Sequence, residues 1–356
     1  MEFLFSEDQR MLQKTVRDFL EGECPVEAVR ARWETESGRS LEFWKKLAEI
    51  GVPGLLVPEA HGGLGMDELD LVLVLEECGR AALPEPVIAT AAVAVPLLCE
   101  LGDTELQEAW LPRIAAGDAI VAVGAGSSIS PFVADAHVAD LLLLPDGGAI
   151  HAVDPAAVSL TAQPANDPSQ KLFTVDWTPG PGTRVGTADD AASIDRGALA
   201  CAAQQLGVGD RLIEMSVAYA TQRKQFGVPI GSFQAVKHQL ANCAVKVEYA
   251  RSLVYRAAHS VARATRCRSV DVSMAKAQAS QAAVFAAKTA LQVHGAIGYT
   301  WEQDLHVWMR RAWSLERAWG SSTWHRRRIA DAVIDGALPA ESFGYSAPGA
   351  PRAAPA

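Results

Sequence analysis

Two short motifs contain the residues of this sequence whose types and spacing could do chemistry. The first reads Arg223-Lys224-Gln225-Phe226-Gly227, and the second runs from Gln292 to Tyr299 through a Gly-x-x-Gly turn. An arginine can bind a phosphate, an aromatic ring can pack on a base, and bare glycine backbone lets a ligand approach closely. These residue types indicate a nucleotide site, although a surface arginine and a glycine that ends a helix would give the same pattern.

Long helices are predicted to position both motifs. The segments Phe233 to Arg263 and Val270 to Leu291 contain neither Gly nor Pro and repeat apolar residues at helical spacing. Apolar residues recur at helical spacing over most of the range from about Ala191 to about Ile334. Spacing of this kind predicts a helical bundle, and we assign residues 189–337 to a C-terminal four-helix bundle.

The rest of the chain is predicted to divide into a helical part and a small β part. Residues 1–116 show helical periodicity, beginning with a capping-box pattern at Ser6 and Gln9 and including a helix predicted from Pro84 to Leu101 with proline in its first turn. Residues 117–188 contain short apolar or alternating runs between Gly, Pro, Asp and Ser clusters, which is typical of strands. Residues 338–356 are rich in Pro, Ala and Gly and are expected to be disordered. The predicted fold class is α+β, mainly α.

Composition excludes several classes of protein. A net charge of −10 over 356 residues argues against a general nucleic-acid binder. The six cysteines are scattered without a Cys-x-x-Cys pair, so neither a zinc site nor a disulfide framework is expected, and we assign no metal. The N-terminus lacks the features of a signal peptide and the apolar runs are too short to span a bilayer, so a cytoplasmic location is expected.

The order of these parts and their motifs resembles the acyl-CoA dehydrogenase family. Phe5-Ser6-Glu7-Asp8-Gln9 is similar to the opening helix of the family, and the stretch from Gly51 to Gly65, GVPGLLVPEAHGGLG, is similar to its N-terminal signature. The two motifs described above resemble its flavin-binding signatures, and the resemblance extends to about residue 336. It implies an FAD-dependent enzyme that oxidises the Cα–Cβ bond of an acyl-CoA thioester and passes electrons to an electron-transfer flavoprotein.

The resemblance also implies roles for individual residues. Arg223 would contact the FAD pyrophosphate, Phe226 would pack on the adenine end, and Gln234 would lie near the same adenylate. Gln292 and the glycine turn would contact the ADP half of an FAD seated mainly in a neighbouring subunit, which implies an oligomer, usually a dimer of dimers. His294 is either one more contact or a solvated or capped side chain. The full set of expected cofactor-binding residues is Arg223, Gln225, Phe226, Gln234, Gln292, Val293, Gly295, Ala296 and Gly298.

The sequence departs from the family at the catalytic base. Most members carry a Glu-Gly pair where this chain has Trp319-Gly320, and an indole accepts no proton at neutral pH. Other members place the base at a position that corresponds here to Gly197. Glu316 or Asp195 could substitute if the backbone shifted by roughly 5 Å, about one helical turn. Otherwise Glu316 is an ion-pair partner and Asp195 a helix N-cap. We therefore assign no catalytic residue.

A second departure lies in the segment Val121 to Pro131. Family members carry a Thr-Glu-Pro…Gly-Ser-Asp segment there that holds the flavin ring and the thioester, but the acid and the proline are absent here. Gly124 and Gly126 are more typical of a plain turn than of a phosphate loop. The chain thus keeps the residues that reach a neighbour's FAD and lacks those that hold its own flavin ring and supply the base.

This asymmetry favours one hypothesis over two alternatives. The chain resembles the non-catalytic or weakly catalytic subunit of the α2β2 dehydrogenases of actinobacterial steroid side-chain oxidation, in which a homologous subunit carries the chemistry on bulky acyl-CoA substrates. One alternative is a homo-oligomeric dehydrogenase with a relocated base. The other is a binding protein that keeps the fold without the chemistry.

Overall fold

The computed structural model describes residues 4–126, 128–334 and 336. The predicted disordered tail, 338–356, lies outside these residues, and the predicted domain boundaries stay predictions. Among the described helices, none combines the length and the apolar character that crossing a bilayer requires.

The N-terminal part is built from short helices. They are α1 (Glu7–Glu23), α2 (Val26–Trp33), α3 (Leu41–Glu49), α4 (Glu68–Arg80), α5 (Val95–Leu101) and α6 (Thr104–Ala115). The capping box at the start of α1 is present, since Ser6 Oγ accepts from the Gln9 amide and the Gln9 side chain accepts from the Ser6 amide.

The segment before α5 differs from the expectation. The sequence predicted a helix from Pro84 to Leu101, but the helical backbone begins near Val87 and is π-helical over Ile88–Ala94 before α5. Pro84 and Pro86 explain the later start, because each fixes φ, lacks an amide hydrogen and disfavours a helical residue before it.

The middle of the chain forms two small sheets. One has the order β1 (Val121–Val123), β3 (Leu141–Asp146), β4 (Ala149–Val153) and β7 (Arg184–Thr187), and the other the order β2 (Val133–Ala134), β6 (Leu172–Asp176) and β5 (Ser159–Gln163). β1 and β3 are parallel, while the other pairs are antiparallel. Leu141 and Leu143 face the helical core, whereas Leu142 and Leu144 face the second cluster. A strand buried on both faces explains the continuous leucine run.

The C-terminal part is the predicted bundle. Helices α7 (Asp190–Gln222), α8 (Gln234–Ala262), α9 (Arg268–His294) and α10 (Leu305–Arg317) pack together, and α11 (Ser322–Ile334) packs on α9. Between α7 and α8 lies a hairpin of β8 (Lys224–Gln225) and β9 (Val228–Pro229). Helix α4 packs closely on α7, and Gly79 makes this possible. A Cβ at this position would lie 1.9 Å from the carbonyl oxygen of Gln204 on α7. The predicted fold class is confirmed.

Candidate functional site

A cavity of about 510 Å³ lies where the three parts of the chain meet. Its wall is formed by the loop before the π-helical segment, by the ends of β1 and β2, and by the C-terminal end of α10 with the turn that follows it. A volume of this size accommodates a drug-sized ligand. Most of the wall is apolar, and polar side chains are concentrated around Arg39, Glu85, Asp135 and Arg311.

Trp319 lies in the turn between α10 and α11 and lines this cavity. Its backbone is in the left-handed region with φ of +56°, an uncommon conformation for a bulky residue, and its side chain is largely buried. The indole packs on α7 at Gly197, where an added Cβ would lie 2.1 Å from the indole Cδ2. The two positions at which the family resemblance places a base are therefore in contact, and neither carries a carboxylate.

Buried groups on α9 and α11 hold the backbone of this turn. The ammonium of Lys276 donates to the carbonyls of Leu315 at 2.9 Å, Glu316 at 3.0 Å and Gly320 at 3.1 Å. Burial lowers the pKa of Lys276 to about 8. His325 Nε2 lies 3.0 Å from the carbonyl oxygen of Trp319 and must donate to it, since a carbonyl only accepts. Burial lowers the pKa of His325 to about 3, so the imidazole is neutral.

The two carboxylates considered as relocated bases have other partners. Glu316 Oε1 accepts from the amide of Ser322 at 3.0 Å and from its hydroxyl at 2.7 Å, at the start of α11. Although burial opposes it, these bonds lower the pKa of Glu316. Asp195 is fully buried and accepts from Ser269 and Arg328, each at 2.6 Å; burial raises its pKa. Neither residue belongs to the cavity wall, so the geometry favours structural roles for both. The expected N-cap role of Asp195 is wrong, because Asp189 is the N-cap of α7 and Asp195 lies inside the helix.

The Arg223 motif lies on the surface at the end of α7. Arg223 is exposed, and its guanidinium has no ion-pair partner among the described residues. Phe226 is 93% exposed, with φ of +53° at the tip of the β8–β9 hairpin. Gln225 in β8 and Gln234 at the start of α8 are exposed as well. The exposed ring of Phe226, which meets Phe233 edge-on, and the exposed guanidinium of Arg223 fit an adenine and a pyrophosphate, the role the sequence predicted for them.

The second motif ends α9. Gln292 is exposed in the last turn of this helix, while Val293 is buried. Gly295 has φ of +64° and ψ of −139°, which only glycine adopts readily, and it opens the 3-10 turn Gly295–Tyr299 that includes the exposed Ala296 and the buried Gly298.

His294 brings the two motifs together. It is buried, its Nδ1 lies 2.8 Å from the carbonyl oxygen of Ala290, and its ring stacks on Tyr219 of α7 at 4.4 Å between centroids. Because Tyr219 lies one helical turn before Arg223, this contact fixes the two motifs at the same end of the bundle. We call this surface, Arg223 to Gln234 with Gln292 to Tyr299, the motif edge. His294 therefore positions the motif edge from within the fold. Its burial contradicts the alternative of a solvated side chain, and a contact of His294 with FAD stays a prediction.

The residues of the middle sheets fit the flavin ring of FAD less well than the motif edge fits the ADP half. A Cβ on Gly124 would lie 3.2 Å from Pro145 Cδ, so the chain's own proline already occupies the space over this turn. A smaller cavity of about 80 Å³ lies beside Gly124 and Gly126, and Trp319 lines it too. The indole thus stands between the small cavity and the large one.

Glu85 and Arg39 are cavity residues that the sequence reasoning missed. Both lie in loops that are far from either flavin motif, and Glu85 belongs to the same Pro-Glu-Pro segment that was predicted as the first turn of a helix. The available signal was this segment itself, since an acid between two prolines sits in a stiff, non-helical backbone.

The architecture is that of a flavoprotein dehydrogenase. It consists of a helical N-terminal part, a small sheet region and a C-terminal bundle that carries the two motifs at one end. The acyl-CoA dehydrogenase N-terminal domain model matches residues 6–118, and the C-terminal domain model matches residues 186–334. The chain belongs to the acyl-CoA dehydrogenase family, whose members are FAD-dependent oxidoreductases acting on the CH–CH group of an acyl-CoA.

Three similar proteins come from Mycolicibacterium smegmatis and Mycobacterium tuberculosis. Acyl-CoA dehydrogenase IpdE2 of Mycolicibacterium smegmatis is 36% identical over 327 residues, which cover 91% of this chain and 98% of the relative. IpdE2 of Mycobacterium tuberculosis is 32% identical, over 86% of this chain and 91% of the relative. A chain of the ChsE4-ChsE5 complex from Mycobacterium tuberculosis superposes with a TM-score of 0.86 at 28% identity, covering 94% of this chain and 99% of the other.

Proposed function

We propose that this chain is the subunit of a heteromeric acyl-CoA dehydrogenase that completes the FAD site without supplying the catalytic base. A homologous subunit would pair with it in an α2β2 assembly, in the cytoplasm, and would carry the chemistry on a bulky acyl-CoA of steroid degradation. Electrons would leave through an electron-transfer flavoprotein. The similar ChsE4-ChsE5 structure is a complex of two different subunits, which supports a heteromeric assembly for this chain as well.

The contact between Trp319 and Gly197 is the observation that carries the proposal. Desaturation requires a carboxylate at the α carbon, and the two positions from which the family supplies it hold an indole and a bare Cα. Glu316 and Asp195 are engaged in hydrogen bonds elsewhere. Among the described residues, neither of these two positions therefore offers a base at the Trp319 end of the cavity.

The motif edge supports the other half of the proposal. When bound, FAD supplies the acceptor for the hydride that leaves the β carbon. The residues that would hold its ADP half are Arg223, Gln225, Phe226, Gln234, Gln292, Val293, Gly295, Ala296 and Gly298. A phenylalanine that is 93% exposed loses the stabilisation that burial would give, which indicates a surface that another molecule covers.

The test is the flavin content of the full chain, measured as released FAD per polypeptide. We expect little flavin when the chain is produced alone, and about one FAD per pair when it is produced with the homologous subunit that completes its assembly. Full occupancy of the chain alone would contradict the proposal and favour a homo-oligomeric enzyme. Absence of flavin with any dehydrogenase partner would favour a binding protein that lacks the chemistry.

A further inference from the structure

Trp319 separates two cavities that would otherwise meet. The cavity of about 510 Å³ and the cavity of about 80 Å³ have three lining residues in common, Val123, Ala125 and Trp319. Val123 ends β1, whose backbone is fixed by its pairing with β3, and the side chain of Ala125 is a single methyl group. Of the three, Trp319 alone has a large side chain, so its indole forms most of the partition.

Each cavity has its own opening to solvent. Pro131 and Arg317 are exposed in the wall of the larger cavity, whereas Ser128 and Asp190 are exposed in the wall of the smaller one. With the indole removed, the two cavities would form a passage that is open at both ends. The indole therefore decides whether a ligand can lie across both cavities.

Contacts to the main chain hold the indole in this position. Trp319 has φ of +56°, and the ammonium of Lys276 donates to the carbonyl of Gly320 at 3.1 Å. His325 Nε2 lies 3.0 Å from the carbonyl oxygen of Trp319 itself, while the ring packs on Gly197 of α7. Because Lys276 and His325 bind main-chain atoms, a shorter side chain at position 319 would remove the partition and leave the turn anchored.

The two cavities suit different parts of a ligand. The larger one is wide and mostly apolar, with Leu83, Ile88 and Phe132 in its wall. The smaller one is narrow, and Gly124 and Gly126 bring main-chain atoms to its wall. A molecule that lay across both would have a broad apolar body and a narrow arm able to hydrogen-bond to backbone. An acyl-CoA has this shape, with amides in its pantetheine arm.

We propose that the indole of Trp319 closes this passage and so prevents the chain from binding an acyl-CoA across the two cavities. Loss of the base would leave substrate binding intact, whereas a closed passage removes binding itself. The inference rests on the acyl-CoA part of the proposed function and extends it, because the substrate then binds only to the homologous subunit.

The test counts the ligand molecules bound to the full chain in the assembly that it forms with its partner. The probe is S-octyl-coenzyme A, a thioether that cannot be desaturated because it has no carbonyl to acidify its α hydrogens. Calorimetric titration gives the number bound per copy of this chain. We expect Trp319→Leu to bind about one molecule more per copy than the unsubstituted protein, since the joined cavity has the size of a ligand site. The partner is the same in both samples, so the difference belongs to this chain.

Trp324→Leu is the matched control. Trp324 lines the larger cavity but not the smaller one, so its loss enlarges one cavity without opening the partition. This variant should bind no additional molecule. Trp319→Gly provides a second way to open the passage if Trp319→Leu does not fold, because glycine adopts a φ of +56° without strain. Circular dichroism establishes which variants are folded.

The inference is overturned if every folded Trp319 variant binds the same number of molecules as the unsubstituted protein. It is also overturned if Trp324→Leu gains as much as the Trp319 variants, since enlargement of the cavity would then explain the effect. The flavin content of the same samples reports the subunit role separately, so failure of one proposal is distinguishable from failure of the other.

Discussion

The indole of Trp319 covers the backbone of Gly197 so closely that a methyl group on Gly197 would lie 2.1 Å from the ring. One residue follows α10 and the other belongs to α7, and they correspond to the two places from which family members supply a base. The indole at one position and the glycine at the other therefore depend on each other, since the ring leaves no room for a side chain at position 197.

Gly197→Ala should destabilise the chain by about 1–3 kcal/mol, the usual cost of forcing an extra methyl group into a packed core. The measurement is urea unfolding followed by circular dichroism. In a Trp319→Leu background the same change should cost less, because the smaller side chain leaves room for the methyl group. Gly22→Ala is the control: Gly22 lies in α1 with nothing within 4 Å of an added Cβ, so this change should be neutral or stabilising. Equal costs of Gly197→Ala in both backgrounds would show that the contact does not constrain this position.

Arg223→Ala should weaken FAD retention by the assembled protein by about tenfold or more, because it removes charge-assisted hydrogen bonds to the pyrophosphate. Retention is measured as the dissociation constant for FAD after the flavin has been removed and titrated back. Unfolding of the chain itself should not change, since the guanidinium is exposed.

Arg266→Ala is the matched control for this experiment. Arg266 is an exposed arginine between α8 and α9, at the opposite end of α8 from the motif edge. If both substitutions weaken FAD equally, general surface charge accounts for the effect and Arg223 has no specific role.

Lys276→Met should destabilise the protein by about 2 kcal/mol or more, because it leaves the buried carbonyls of Leu315, Glu316 and Gly320 without their donor. The turn that carries Trp319 should loosen as well, which hydrogen exchange of the amides around residue 320 would detect. Lys288→Met changes an exposed lysine of the same helix and should alter neither quantity. A stable variant with unchanged exchange would show that the ammonium does not hold the turn.

His325 should make the protein sensitive to acid. Its pKa is about 3 in the folded chain, against an ordinary value of 6.5, so between these values the unfolded chain binds a proton that the folded chain does not. The contribution of His325 to stability is therefore complete above pH 6.5 and is lost as pH falls towards 3. Glu76 and Glu85 have the opposite effect on stability as pH falls. Burial raises the pKa of each to about 7, so the folded chain takes up these protons before the unfolded chain does.

The effect of His325 is isolated by comparing variants. The free energy of unfolding is measured at pH 7 and pH 4.5 for the unsubstituted protein and for His325→Gln, which keeps a side-chain N–H for the Trp319 carbonyl without titrating. The loss on acidification should be smaller in the variant. His238→Gln, at an exposed histidine of α8, should behave as the unsubstituted protein does. An identical loss in all three proteins would contradict the prediction.

The sequence predicted those features that depend on local patterns. Helical periodicity and the capping box at Ser6 predicted elements of the N-terminal part, and the apolar spacing from Phe233 onwards predicted the bundle. The order of the motifs indicated the family. It also identified Trp319 and Gly197 as the two positions at which family members carry the catalytic base. Helix α2 and the short strands β2, β5 and β7 were missed, since their sequences have little apolar periodicity.

The remaining features depend on contacts between distant segments. Glu85 and Arg39 are 46 positions apart in the sequence, and only the folded chain places them in one wall. The stacking of His294 on Tyr219 likewise joins two helix ends that no local pattern relates. The roles of Glu316 and Asp195 depend on their burial and on the groups that surround them in the fold. A linear sequence shows neither the burial nor the surrounding groups.

The packing of Trp319 on Gly197 also constrains how this lineage can change. A return to glutamate at position 319 would remove the packing of the indole on α7, and the lost contacts would cost stability before any catalysis appeared. A carboxylate at position 197 would collide with the indole that is already there. Either single step back is unfavourable, so packing at these two positions would by itself preserve the division of labour between subunits that we propose, without selection for function.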